Sequence, residues 1–131
     1  MSRASDLANV IASGSTDIVA EGTATTNLQQ GLAKCWVNFS GQGTIAARDS
    51  NNLSSLTDDG TGLYDINFSN NMNNDDYAYS VNGGGGSTHA LGNTVDDGLF
   101  TSFINVRFRR NDNNSSLDAQ EAAVIINGDL A

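Results

Sequence analysis

Gly31-Leu32-Ala33-Lys34-Cys35-Trp36-Val37-Asn38-Phe39 holds the chain's only lysine, cysteine and tryptophan, and its alternation decides the fold. At a period of two, Ala33, Cys35, Val37 and Phe39 share one side and Lys34, Trp36 and Asn38 the other. The first side is apolar throughout, which predicts a central β-strand with that side in the core. Trp36, on the mixed side, needs cover from a neighbouring segment or from a partner subunit.

Working outward, Ser40-Gly41-Gln42-Gly43 is a turn, and residues 44–50 return as the second strand of a hairpin, broken at Asn51-Asn52. Residues 53–57 and 63–68 flank an Asp- and Gly-rich loop, and Tyr64, Ile66 and Phe68 alternate with Asp65 and Asn67 as in a half-buried strand. Residues 70–76 are a polar turn, followed by a strand in which Tyr77, Tyr79 and Val81 alternate with Ala78 and Ser80. Four glycines, 83–86, lead into a loop-like stretch, 87–97, that contains His89, the only histidine. Residues 99–109 are the longest strand candidate, with Phe100, Ile104, Val106 and Phe108 on one side. Residues 122–127 form an apolar run expected of a buried or subunit-facing strand. Upstream, Leu7, Val10 and Ile11 recur at i, i+3 and i+4 between Ser5 and Gly14, which predicts a short amphipathic helix. Residues 17–20 form a brief strand and 22–30 a polar connector.

Strands at roughly ten-residue intervals with turns between them predict an all-β protein, an antiparallel β-sandwich of jelly-roll-like kind with one short N-terminal helix. The expected organisation is a helical arm over 1–14 and a single sandwich domain over 15–131. The 131 residues suffice for one such domain without metals or disulfides. With no proline to protect strand edges, association is the expected cover.

The net charge of −9 repels a nucleic-acid phosphate backbone, so no nucleic-acid partner is expected. Arg107, Arg109 and Arg110 are the one basic cluster. A single cysteine allows no internal disulfide, and on its apolar side Cys35 is expected to be inert. No signal-peptide pattern opens the chain and no stretch reaches membrane-spanning length, so synthesis in a cytoplasm and no membrane insertion are expected.

Chemistry finds few footholds. Any Ser-His-Asp or Cys-His arrangement must use His89, and no strand-turn-helix elbow precedes a serine. Adjacent carboxylates at Asp58-Asp59, Asp75-Asp76 and Asp96-Asp97 point apart, which leaves a glycan hydrolase as a remote reading without an acid/base pair. No cofactor is expected and no metal site is assigned. Asp112, Asn114, Ser116 and Asp118 alternate like a calcium loop, but Leu117 stands where glycine is required. His89 could hold zinc only where three subunits meet. Leu7, Val10, Ile11, Trp36, Val124, Ile125 and Ile126 are the interface candidates, and Tyr77, Tyr79, Arg107 and Arg109 the ligand-facing ones.

Three stretches carry a resemblance: residues 2–9 with Ala12-Ser13-Gly14, residues 27–39, and Ser54-Ser55-Leu56-Thr57-Asp58 with Gly60-Thr61-Gly62-Leu63-Tyr64-Asp65-Ile66-Asn67-Phe68. They resemble a family of small phage particle proteins that are common in phages of marine bacteria and cyanobacteria and also occur as terminal modules of tail-fibre-like proteins. The resemblance covers roughly the first two-thirds of the chain and is loose after Gly83. It implies a non-enzymatic virion structural role and a homotrimer, assembled in the host cytoplasm. With no heptads and no collagen-like repeat, the expectation is a free-standing subunit, a capsid decoration or cement protein that contacts the major capsid protein. The alternative is a tail-fibre module that binds a host surface glycan.

Overall fold

The computed structural model describes residues 17–19, 25–27, 31–84 and 91–131, with the backbone alone at 17–19, 25–27, 91–94, 96 and 97. The chain divides into two compact units, Met1–Leu32 and Ala33–Ala131. The helix expected at 5–14, and with it the arm over 1–14, lies outside the described residues. In the first unit β1 (Asp17–Val19) pairs antiparallel with β2 (Thr25–Asn27). A strand thus lies inside the stretch read as a connector, because backbone pairing is open to polar residues such as Thr25 and Thr26.

The second unit contains β3 (Cys35–Ser40), β4 (Ala46–Asn51), β5 (Leu53–Gly60), β6 (Leu63–Phe68), β7 (Ala78–Gly84), β8 (Leu91–Leu99), β9 (Phe103–Arg110) and β10 (Glu121–Asn127). They form two antiparallel four-stranded sheets, in the orders β4-β3-β10-β7 and β5-β6-β9-β8. The all-β expectation is met, and β3 is an interior strand between β4 and β10.

One core joins the sheets. From the first come Cys35, Val37, Phe39, Ala122, Val124 and Ile126, and from the second Tyr64, Ile66, Phe68, Ile104, Val106 and Phe108, all buried. Every one lies at period two on its strand, so a single side of each sheet is apolar. Phe39 meets Tyr64 edge-on at a centroid distance of 5.3 Å and Phe108 at 6.4 Å. These edge-to-face contacts add to the area that the rings remove from water.

The turns follow residue chemistry. Asn52, between β4 and β5, has φ 59°, a left-handed conformation that asparagine tolerates. Its side chain accepts from the Asn70 backbone N–H at 2.8 Å and donates to the Asn70 carbonyl at 3.0 Å. Gly62, in the β5–β6 turn, has φ 70°.

Three expectations are corrected. The stretch read as a loop, 87–97, contains most of β8, because β9 offers it a pairing edge, with a register shift between Val95 and Leu99. The polar turn at 70–76 contains Met72, which is buried and bridged to Leu130. Phe100 is exposed and stacks on Phe103 at 4.3 Å, since it lies between β8 and β9 and not on the buried side of β9.

Candidate functional site

With the inner sides of both sheets spent on the core, the outward sides are where a partner or ligand can be met. On the first sheet the register aligns Asn51, Trp36, Ile125 and Ser80 in one row and Asp49, Asn38, Ala123 and Asn82 in the next. Ile125 is 46% exposed beside a half-buried Trp36, so two large apolar side chains share an outward surface. Next to them Ala123 lacks bulk between Asn38 and Asn82, which leaves a shallow depression of about 230 Å³ that Gly83, Gly84 and Glu121 complete. Arg48 borders it, donating to the Gln120 carbonyl at 2.8 Å and to Asn38 Oδ1 at 3.4 Å.

The outward side of the second sheet is polar. Asn67 Nδ2 donates to Thr57 Oγ1 at 3.1 Å, and Asn105 Nδ2 donates to Asp65 Oδ1 at 2.6 Å. Asn105 is only 7% exposed, and its Oδ1 has no hydrogen-bond partner. Asp65 stands opposite it on β6, and on the β8 side the register shifts between Val95–Val106 and Leu99–Ile104. An unpaired buried amide oxygen costs about 1–3 kcal/mol, which makes it a feature that calls for a reason. Asp59, in the shifted part of β5, has its carboxyl pushed up by partial desolvation, then by the charge and hydrogen bond of Asp65 and the charge of Asp58.

Of the sequence-predicted residues, Trp36 and Ile125 come together on the outward side of the first sheet. Val124 and Ile126 do not join them: strand alternation turns both into the core, which corrects their assignment as surface contacts. Tyr77 is likewise corrected from ligand-facing to core, where it meets Phe68 at 6.0 Å and donates its hydroxyl to the carbonyls of Phe100 and Phe103 at 3.1 and 3.2 Å. Tyr79 is 46% exposed on β7, an edge strand. Arg107 and Arg109 stand outward on β9, half-buried. Leu7, Val10, Ile11 and His89 lie outside the described residues.

The calcium-loop candidates are engaged separately. Asp112 receives two hydrogen bonds from Arg110, at 3.0 and 2.7 Å, and the Asn114 backbone turns through φ 59°. Asp118 accepts from the Gly62 N–H at 2.7 Å and the Tyr64 hydroxyl at 3.0 Å, which ties the β5–β6 turn to the segment before β10. Among the described residues no group of three or more His, Cys, Asp or Glu is placed to hold a metal. Asp59, Asp65 and Asn105 escaped sequence reasoning, and the one signal for Asn105 was an amide inside the apolar run 103–106.

Burial pushes the Cys35 thiol from 9.0 up to about 11, and burial, with smaller terms of both signs, pushes the Tyr77 hydroxyl from 10.0 to about 12. Both shifts favour the neutral form in the fold. Their stabilisation is therefore complete below the unfolded values and is lost as pH rises through the folded ones. Two results follow: a thiol reagent at about pH 8 labels Cys35 only after denaturant is added, and the melting temperature falls as pH rises from 9 towards 12. Rapid labelling of the native chain, or a flat alkaline limb, would contradict this burial.

No protein family, curated protein or solved structure matches the chain.

Proposed function

We propose that this chain is a non-enzymatic bacteriophage virion structural protein of the capsid decoration or cement type, displayed on the particle surface as a homotrimer. The observation that carries the reading is the outward pair Trp36 and Ile125, a half-buried aromatic beside an exposed β-branched residue on a sheet whose other side is already the core. Such residues act as anchors when a partner covers them. The resemblance of residues 2–9 with 12–14, 27–39, and 54–58 with 60–68 to small phage particle proteins supplies the partner class: further copies of the chain and the major capsid protein. A net charge of −9 suits a surface turned to solvent and away from packaged DNA.

At the level of architecture the same reading takes the two sheets as a β-sandwich with a short helical arm ahead of it. The jelly-roll likeness rests on the pairing of the first and last strands of the set, β3 with β10, while the hairpins β3–β4, β5–β6 and β8–β9 stay within their sheets. A second reading, a tail-fibre module for a host glycan, is favoured by exposed Tyr79 and by the amide-lined depression over Ala123, since aromatic and amide groups suit sugar faces and hydroxyls.

Sedimentation of the isolated protein tests the trimer. The wild type is expected to sediment as a trimer at micromolar concentration, and Trp36→Ser with Ile125→Ser as a monomer with an unchanged circular dichroism spectrum, because each anchor contributes about 2 kcal/mol or more at such a surface. A monomeric wild type would count against the proposal. Many copies on the shell lattice of a particle reconstruction would favour decoration, and a few copies at the tail would favour the fibre module.

A further inference from the structure

We infer that Arg109 and Ser116 form a binding site for a small carboxylate-bearing ligand, on the outward side of the second sheet at the end of β9. Alternation fixes the side: Ile104, Val106 and Phe108 are buried in the core, so Arg107 and Arg109 stand outward. Ser116 forms an isolated antiparallel bridge with Arg109. The Arg110 N–H donates to the Ser115 carbonyl at 2.8 Å and the Leu117 N–H to the Phe108 carbonyl at 3.2 Å, which makes Arg109 and Ser116 a non-hydrogen-bonded pair. The side chains of such a pair leave on one side at the closest cross-strand separation, so the Ser116 hydroxyl lies beside the Arg109 stem. On its other flank Arg109 stands opposite Gly92 of β8, which has no side chain to cover the row.

The guanidinium of Arg109 lacks what other arginines of the chain have. Arg48 lies 4.0 Å from Glu121 and Arg110 is held by Asp112 at 2.7 Å, but among the described residues no carboxylate pairs with Arg109. Arg109 is half-buried, and its Nε is buried with no acceptor. A partly desolvated cation is costly to leave without an acceptor, and this chain has 15 acidic residues against 6 basic from which to supply one. Arg109 is therefore a group held for an anion from outside the fold. The shielding of Nε fixes the stem and leaves the two terminal nitrogens to the ligand, and their planar fork matches the two oxygens of one carboxylate. The Ser116 hydroxyl adds a third donor. Arg107, Arg109 and Arg110 are three of the six basic residues, and this concentration of positive charge draws an anion to the end of β9. The net charge of −9 repels polyanions and dianions more strongly than a single negative charge, which selects a carboxylate over a phosphate.

The test is titration of the isotope-labelled full chain with sodium glucuronate, a sugar acid, followed by the backbone amide signals of residues 108–117, with glucose and inorganic phosphate as comparisons. Glucuronate is expected to shift the Arg109 and Ser116 signals saturably, with a dissociation constant on the order of 10⁻³ M that weakens as sodium chloride is raised. Glucose should leave them in place, and phosphate should bind more weakly than glucuronate. Arg109→Gln should weaken glucuronate binding by about ten-fold or more, and Arg109→Lys, which keeps the charge and the stem but loses the fork, by less. Ser116→Ala removes one donor without touching the arginine, and it should weaken binding by a few-fold even where Arg109→Gln does not fold. Absence of saturable shifts up to about 50 mM, a concentration well above such a constant, would overturn the site. So would equal shifts with glucose, or binding that Arg109→Lys and Ser116→Ala both leave unchanged. Sedimentation of Arg109→Gln separates the ligand from a neighbouring subunit: an unchanged oligomer supports the small ligand, whereas a smaller oligomer with no glucuronate binding would assign Arg109 to a carboxylate of another copy and overturn it.

Discussion

Phe39→Ala is expected to lower the unfolding free energy by about 3–5 kcal/mol, the range for deleting a fully buried aromatic ring. Phe39 is wholly buried and touches both Tyr64 and Phe108, so its ring bridges the two sheets. Removing it leaves a hole that neither sheet can close without shifting a strand, and β3 is pinned on both sides by β4 and β10. A domain of this size has about 5–15 kcal/mol in total, so the loss is a large share. Urea titration followed by fluorescence of Trp36, the only tryptophan, reads it directly. The midpoint should fall sharply with little change in slope, and a loss below about 1 kcal/mol would mean that Phe39 does not join the sheets. A contrasting substitution is Ile125→Ser, which removes an exposed side chain from the other side of the same sheet and should leave the monomer's stability within about 0.5 kcal/mol.

That contrast also marks how far the fold was legible. β3 and β6 could be read because each has one buried and one outward side, so Cys35-Val37-Phe39 and Tyr64-Ile66-Phe68 print the period in the residue order. β10 could be located but not oriented: residues 122–126 are all apolar, and nothing in Val124-Ile125-Ile126 tells which side faces the core until β3 and β7 flank the strand. β8 was hidden for the opposite reason. Gly92, Asn93, Asp96, Asp97 and Gly98 favour turns, and the strand exists because β9 pairs with it across a register shift. Trp36 was visible as an outward residue needing cover because a lone tryptophan on a mixed side stands out. Asp59, Asp65 and Asn105 were not visible as a set, since they meet only when β5, β6 and β9 are neighbours, and neighbour order is a long-range property of the sheet.

The same long-range logic singles out Gly62. Its φ of 70° lies where a β-carbon is strained, and a β-carbon there would stand 2.5 Å from the Phe108 carbonyl oxygen and 2.8 Å from that of Leu117. Both are backbone atoms, which cannot swing aside. Gly62 also donates its N–H to Asp118 at 2.7 Å and accepts from the Phe108 N–H at 2.7 Å, so moving the turn to relieve the clash breaks both bonds. Gly62→Ala therefore combines left-handed strain of about 1–2 kcal/mol with overpacking of about 1–3 kcal/mol. A total of about 3 kcal/mol lowers the melting temperature by roughly 10–15 °C in a domain of this length. Gly43→Ala separates the two terms: φ there is 67°, but nothing lies within 4 Å of the added carbon, so only the strain of about 1 kcal/mol remains. Equal losses at the two positions would mean that the β5–β6 turn does not lie against β9 and the segment before β10. A Gly62 loss clearly exceeding the Gly43 loss would place the difference in backbone contact, and with it the Asp118 tie from which both Gly62 and Tyr64 hang.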